Sequence, residues 1–302
     1  MIPDLAPATA LLAEARQIAD DHLEAIAERL RGEWPGRLGE AMTYALGTAG
    51  KRVRPALVLA CYRASGGRHE AITRLATAVE IIHTYALVHD DLPCMDDDDC
   101  RRGRPTTHVV FDPPTATRVG YLLVPVAIEI LCQANRELGV SGATHQAIAR
   151  TLLEASGIQG MVGGQWLDLA AEGRSLGADD LTSIHARKTG ALIEAACVVG
   201  GLAAGATDAM IEGFAGYGRE IGVAFQVADD VLDATATTAQ LGKTAGRDAS
   251  LFKSTFVSFL GVDGARSEAD RLARRAVHWL ERSGVESPSL VSLAHYIVNR
   301  QS

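Results

Sequence analysis

With 302 residues, 47% of them hydrophobic and only 5% aromatic, the chain can bury a large core built on Ala, Leu, Val and Ile. Its 37 acidic residues outweigh 29 basic ones, and the formal charge of −8 argues against a nucleic-acid partner, whose phosphates need net basic faces. Five cysteines without zinc-like spacing, no apolar run of 18 residues, and a start (Met1-Ile2-Pro3-Asp4) unlike a secretory signal together predict a cytoplasmic protein with no membrane span.

Apolar residues recur at helical spacing, as in Leu11, Leu12, Ile18, Leu23, Ile26 and Leu30, and again in Leu75, Val79, Ile82 and Ala86. The pattern predicts helices over 4–32, 37–47, 54–65, 69–92, 113–138, 143–156, 158–171, 179–204, 207–234, 250–260, 264–283 and 288–299. Asp112-Pro113-Pro114 suits a helix start, with Asp112 capping and Pro113 in the first turn. No period-two alternation argues for a sheet, and no Pro/Gly/Ser linker divides the chain, so the expectation is one all-α domain over 1–302.

Two acidic clusters end apolar helical stretches: Asp90-Asp91-Leu92-Pro93-Cys94-Met95-Asp96-Asp97-Asp98-Asp99 and Asp229-Asp230-Val231-Leu232-Asp233. On a helix, Asp229 and Asp233 share a face. Opposed faces of this kind repel unless cations lie between them, and magnesium suits them because it takes few carboxylates and fills its shell with water and phosphate oxygens. Neither cluster has the alternating ligands, central Gly and closing Glu of a calcium loop. Basic groups stand nearby: Arg101, Arg102 and Arg104 after the first cluster, Lys243 and Lys253 after the second, Gly50-Lys51-Arg52-Val53-Arg54-Pro55 and Arg187-Lys188-Thr189-Gly190 apart. That supply suffices for two separate phosphate groups. The competing reading of either cluster alone is a solvated acidic loop.

The stretch His89 to Thr106 resembles the first aspartate-rich motif of the trans-isoprenyl diphosphate synthases, in the longer-spaced bacterial form of the farnesyl and geranylgeranyl diphosphate synthases, and Phe225 to Asp233 resembles the second. Gly50 to Pro55, Gly163-Gly164-Gln165-Trp166-Leu167-Asp168, Lys188-Thr189-Gly190 and Leu241-Gly242-Lys243 fall in that family's order. The resemblance implies an antiparallel helical bundle with a central cavity, working as a homodimer. It implies an allylic diphosphate held through three magnesium ions by Asp90, Asp96 and Asp229, with Asp91, Asp230 and Asp233 in support. Arg101, Lys188, Thr189, Gln226, Lys243 and Lys253 would contact that diphosphate, and Asp90, Asp96, Arg101, Lys188, Asp229 and Lys243 form the implied catalytic set. Isopentenyl diphosphate would sit, without metal, on Lys51, Arg54, His83 and Arg102. For His83 the alternative is a satisfied core histidine.

Five residues before Asp90 stands Tyr85, where a large aromatic resembles the floor of the farnesyl-producing enzymes; the twenty-carbon product is the alternative. The sequence departs from the family at Gly120-Tyr121, where Gly-Asp is usual, and Pro125 should kink or interrupt the helix that follows. A terpene cyclase would fit a helical fold and one magnesium site, but its second motif usually mixes Asn, Ser and Glu and it has no use for a second diphosphate pocket. A non-catalytic subunit of a heteromeric synthase would be expected to lose ligands. Replacing Asp90 or Asp229 by Ala is expected to end turnover with little loss of folding, because repulsion is relieved.

Overall fold

The structure is a computed structural model, in which residues 4–174, 176–235 and 254–300 are described. Long helices follow one another as α1 (Ala6–Glu33), α2 (Arg37–Leu46), α3 (Val53–Ala64) and α4 (Ile72–Asp90). A minimal hairpin, β1 (Cys100–Arg101) and β2 (Arg104–Pro105), and a single turn, α5 (Thr107–Val110), lead into α6 (Pro113–Glu137), α7 (Gly142–Ser156) and α8 (Met161–Ala170). The chain closes with α9 (Ala178–His185), a π turn (Ala186–Gly190), α10 (Ala191–Ala203), α11 (Asp208–Thr235), α12 (Phe256–Arg282) and α13 (Pro288–Asn299). The fold is all-α, as the periodicity predicts.

Physical reasons for the boundaries are visible. Asp112 caps α6, its Oδ1 accepting from the Thr115 amide at 2.6 Å, with Pro113 next in line. Thr255 and Ser258 cap α12 reciprocally. The two helices predicted over 250–260 and 264–283 are joined across a break at Gly261, whose φ of 68° only a glycine adopts without strain. Pro125 does not interrupt α6: the helix runs on through it, with the proline on the exposed face.

Small side chains let the helices approach closely. The main core joins residues of α1 to α4, α6, α7, α10, α11 and α13, with Leu57, Leu75, Ile81, Ile82, Leu131, Phe214 and Tyr217 fully buried. Leu181, Val223, Val227, Phe256 and Leu272 make a smaller core between α9, α11 and α12, so α11 belongs to both. Although α6 is apolar and long enough to match a bilayer, half of its most hydropathic window is buried, with α4 packed along it. This packing leaves the C-terminal ends of α4 and α11, both acidic, beside the π turn and the start of α3.

Candidate active site

Carboxylates stand at the wrong end of two helices. Asp90 is the last residue of α4 and Asp91 its C-cap, while Asp229, Asp230 and Asp233 occupy the final turns of α11, which carries no basic residue there. Partial negative charge at a helix C-terminus disfavours acids, so the arrangement costs stability and calls for cations.

Beyond α4 the chain folds back on itself. The amides of Asp96, Asp97 and Asp98 donate to the carbonyls of Asp90, Leu92 and Asp91, which returns Asp96 to the helix end. In the hairpin that follows, Arg102 (φ 55°) and Gly103 (φ 75°) make the two left-handed positions of a tight turn. The turn separates two neighbouring arginines. Arg101 binds Asp91 through Nε at 2.5 Å and Asp98 at 3.2 Å, whereas Arg102 donates to the Ala49 carbonyl at 2.7 Å, beside α3. Asp90 has no side-chain hydrogen bond among the described residues. Burial pushes its carboxyl up to about 7 against the pull of Lys188, with Asp96 and Asp91 adding to the rise.

The π turn supplies the opposing cation. Lys188 Nζ lies 2.7 Å from Asp168 Oδ2 and 3.7 Å from Asp96 Oδ2, and Gln165 donates to Asp96 Oδ1 at 3.1 Å. Burial would discharge Lys188, but Asp168, Asp96 and Asp90 together outweigh it and hold the amine above its usual range. From the next position, Thr189 donates to Gln226 on α11 at 3.0 Å. The helix predicted over 179–204 is continuous, yet a π turn widens it where these two side chains emerge.

On α11 the carboxylates differ in their commitments. Asp230 accepts from the Phe256 amide at 2.8 Å and so anchors α12, while Asp233 buries one oxygen with no hydrogen-bond partner among the described residues. Asp229 holds Arg300, whose guanidinium lies 3.7 Å above the Phe225 ring and binds the Asp229 carboxylate at 2.5 Å. Two further nitrogens of Arg300 are buried without an acceptor among the described residues.

Between the two acidic ends lies a basic pocket. The Gly50–Pro55 cluster divides there: Arg52, in a left-handed conformation (φ 51°), turns inward to Glu80 and Asp20 at 2.8 Å each and to the Thr48 carbonyl. Lys51 and Arg54 remain toward the cleft. Burial, with Arg300 and Arg102 reinforcing it against Asp229, lowers Lys51 to about 8. Burial likewise lowers Arg54 to about 10, Glu80 resisting and Arg102 assisting. His83, half-buried, is pushed well below its usual value by burial and by Arg54, Arg102 and Arg101, so it is neutral at pH 7. Cations that mutually depress one another form a site short of an anion. Electrostatic contact of Lys51 and Arg54 with Asp229, and of Arg102 with Asp91, ties this pocket to both acidic walls.

The structure thus brings Asp90, Asp91, Asp96, Arg101 and Lys188 together on one side, Thr189, Gln226, Asp229, Asp230 and Asp233 on the other, and Lys51, Arg54, His83 and Arg102 between them. Lys243 and Lys253 lie outside the described residues. Sequence reasoning missed Arg300, Asp168 and Gln165. The last two stand in the Gly163–Asp168 stretch, where the signal was present without a role; an isolated arginine near the end of α13 offers none.

A magnesium site can be tested against the donor set. All the candidate groups are hard carboxylate oxygens, and among the described residues Asp90 makes no side-chain hydrogen bond and Asp233 keeps one buried oxygen without a partner. Among the described residues no three acidic, His or Cys side chains converge on one point. A cation that retains waters and completes its shell with phosphate oxygens does not need such convergence, so the residues fit it.

Known proteins similar to this chain include prenyl diphosphate synthases. The chain is 41% identical over 270 residues to the chloroplastic geranylgeranyl pyrophosphate synthase of Catharanthus roseus, covering 89% of this chain and 75% of that one. It is 36% identical over 292 residues to the farnesyl diphosphate synthase of Bacillus subtilis, covering 97% and 98%. The solved geranyltransferase of Helicobacter pylori, complexed with magnesium and isoprenyl diphosphate, superposes with a TM-score of 0.80 at 30% identity, covering 96% of each chain. The family model of polyprenyl synthetases matches residues 35–285, and the chain belongs to that family of prenyltransferases.

Proposed function

We propose that the protein joins isopentenyl diphosphate head-to-tail to an allylic diphosphate, with farnesyl diphosphate as the main product. The observation that carries this reading is one site with two chemically different anion handles: carboxylates fit to hold metal beside Lys188, and a cationic group of Lys51, Arg54 and Arg102 with neutral His83 beside it. A single diphosphate needs only the first.

Three magnesium ions, when bound, would neutralise the allylic diphosphate and the charge that develops as it departs. Asp90, Asp96 and Asp229 would hold them, with Asp91, Asp230 and Asp233 in support. Lys188, kept charged by its three carboxylate neighbours, adds a fixed cation to the leaving group, and Thr189 and Gln226 offer neutral donors. The basic pocket seats the second diphosphate so that its double bond faces the allylic carbon. The allylic C–O bond breaks, the isopentenyl double bond attacks the resulting cation, and a proton leaves to the released diphosphate. No side chain is assigned as general base. Exclusion of water protects the cation.

Tyr85, half-buried five residues before Asp90, supports the fifteen-carbon product. The twenty-carbon product is the second reading, favoured by the identity to the Catharanthus roseus enzyme. A homodimer is part of the proposal, supported by Ile158, Val162 and Trp166, an exposed apolar row at four-residue spacing. A cytoplasmic location is proposed on the odd cysteine count alone. The deciding experiment incubates the protein with magnesium, isopentenyl diphosphate and each allylic diphosphate in turn, and sizes the products. Farnesyl diphosphate should dominate; a cyclised hydrocarbon, or no new prenyl chain from any starter, would overturn the reading.

A further inference from the structure

Where α4 crosses α6, Gly120 lies against the His89 ring so closely that a Cβ there would fall 2.0 Å from Nε2. His89 Nε2 is also 3.0 Å from the Thr117 carbonyl, which fixes the ring between the helices. Tyr85 meets it edge-on from α4, at 5.3 Å between centroids and 79° between planes. Tyr121 meets it from α6 at 5.3 Å and 88°. The three rings make an unbroken aromatic row that ends beside Asp90, in the geometry such rings prefer.

Core packing does not account for the last member of the row. Tyr121 is 68% exposed, and its immediate neighbour is the glycine that lets the helices touch. Burial, Asp90 and the Tyr121 phenol all press the Tyr85 hydroxyl toward a higher pKa, so both tyrosines and that carboxylate lie within electrostatic reach of one another. Tyr85 lies one turn and a fraction below Asp90 along α4, about 7.5 Å by helical rise. A hydrocarbon tail descending from a diphosphate at Asp90 would therefore run past His89, with Tyr85 on one flank of that ring from α4 and Tyr121 on the other from α6.

We infer that Tyr121 is a specificity-determining residue for product length, forming with Tyr85 a two-sided aromatic stop braced by His89. The inference rests on the reading that Tyr85 limits the chain. The two rings flank His89 from different helices, so removal of either opens one side and removal of both opens the whole path.

The test compares the parent with Tyr85→Ala, Tyr121→Ala, the double variant and Tyr121→Phe, each given magnesium, excess isopentenyl diphosphate and geranyl diphosphate, with products resolved by chain length. Tyr121→Ala should raise the ratio of twenty- to fifteen-carbon product at least severalfold. The double variant should reach longer chains than either single one, and Tyr121→Phe should keep the parental distribution. A merely structural tyrosine would lower total turnover and melting temperature without moving that ratio. An unchanged distribution on Tyr121→Ala in both backgrounds would overturn the inference, whatever Tyr85→Ala does. If Tyr121→Ala lengthens products and Tyr85→Ala does not, the floor assigned to Tyr85 fails while the role of Tyr121 stands. Should Tyr121→Ala fold poorly, Tyr121→Leu, which keeps apolar bulk but removes the flat ring, answers the same question through the same ratio.

Discussion

Asp90 and Asp229 are equivalent by motif but not by surroundings, and the difference predicts opposite effects on the metal-free protein. Asp90 has no side-chain hydrogen bond among the described residues, stands near like charges at the negative end of α4, and its carboxyl is raised from 3.8 to about 7. Between about pH 4 and 7 its folded state therefore holds a proton that the unfolded chain has released, so the contribution of Asp90 to stability is most favourable below about pH 4 and falls as pH rises toward 7. Asp90→Asn should consequently raise the melting temperature of the metal-free protein at pH 8, with the gap closing toward pH 4, while abolishing turnover. Thermal scans across that range check it; a variant less stable than the parent at pH 8 would contradict the assignment. Asp229→Ala should instead destabilise, because it strips Arg300 of its counter-charge while the guanidinium stays buried on Phe225. The expected loss is about 1–3 kcal/mol, read by denaturant unfolding. This corrects the expectation that both replacements are harmless to folding. Repulsion among aspartates was legible in the sequence; a partner arriving from residue 300, 71 positions away, was not. The same blindness applies to Lys51, Arg52 and Arg54, three like charges within four residues, of which the structure turns one inward to Glu80 and leaves two toward Asp229.

Apolar periodicity revealed the helices because it is a property of each segment by itself, but a π turn is not. The pattern over 179–204 carries no mark of the extra residue that lets Lys188 and Thr189 emerge between α8 and α11. The neighbouring helix makes room for it: Gly164 on α8 lies against the backbone of the turn, and a Cβ there would lie 2.2 Å from the Lys188 amide nitrogen. Gly164→Ala should thus push α8 away from the turn and part Lys188 from Asp168 and Asp96. Overpacking of this kind costs about 1–3 kcal/mol, and turnover should fall further than stability because the leaving-group cation is displaced. Single-turnover rates measured well below the variant's melting temperature separate the two effects; a rate equal to the parent's would mean that the turn tolerates the shift. The hairpin at Arg102-Gly103 is illegible for a related reason. Two residues per strand are too few to alternate, and only the left-handed turn separates Arg101 from Arg102.

Across the whole molecule, the polar chemistry faces inward to the cleft while one outer face is unexpectedly apolar. Ile158 is 76% exposed and Trp166 72%, with Val162 at 46% between them. Val162 and Trp166 share one side of α8, with Ile158 exposed in the turn just before it, and the opposite side carries Gly164 against the π turn. A partner seated on the outer face would therefore press on the element that positions Lys188 from within. If the proposed dimer forms on this face, subunit association would be coupled to activity rather than serve solubility alone. Trp166→Asp puts a charge where a large ring would be desolvated, and aromatic anchors of this kind are commonly worth 2 kcal/mol or more at an interface, roughly thirtyfold in dissociation constant. In sedimentation the variant should run near the 31.9 kDa of one chain at concentrations where the parent runs at about twice that. Its helical content should be unchanged, because the side chain makes little contact with its own core, and its specific activity should recover as protein concentration is raised. A parent that sediments as a single chain at every concentration would remove the dimer from the proposal and leave the apolar row without an occupant. A variant that is monomeric yet fully active would keep the dimer but cut its link to the π turn.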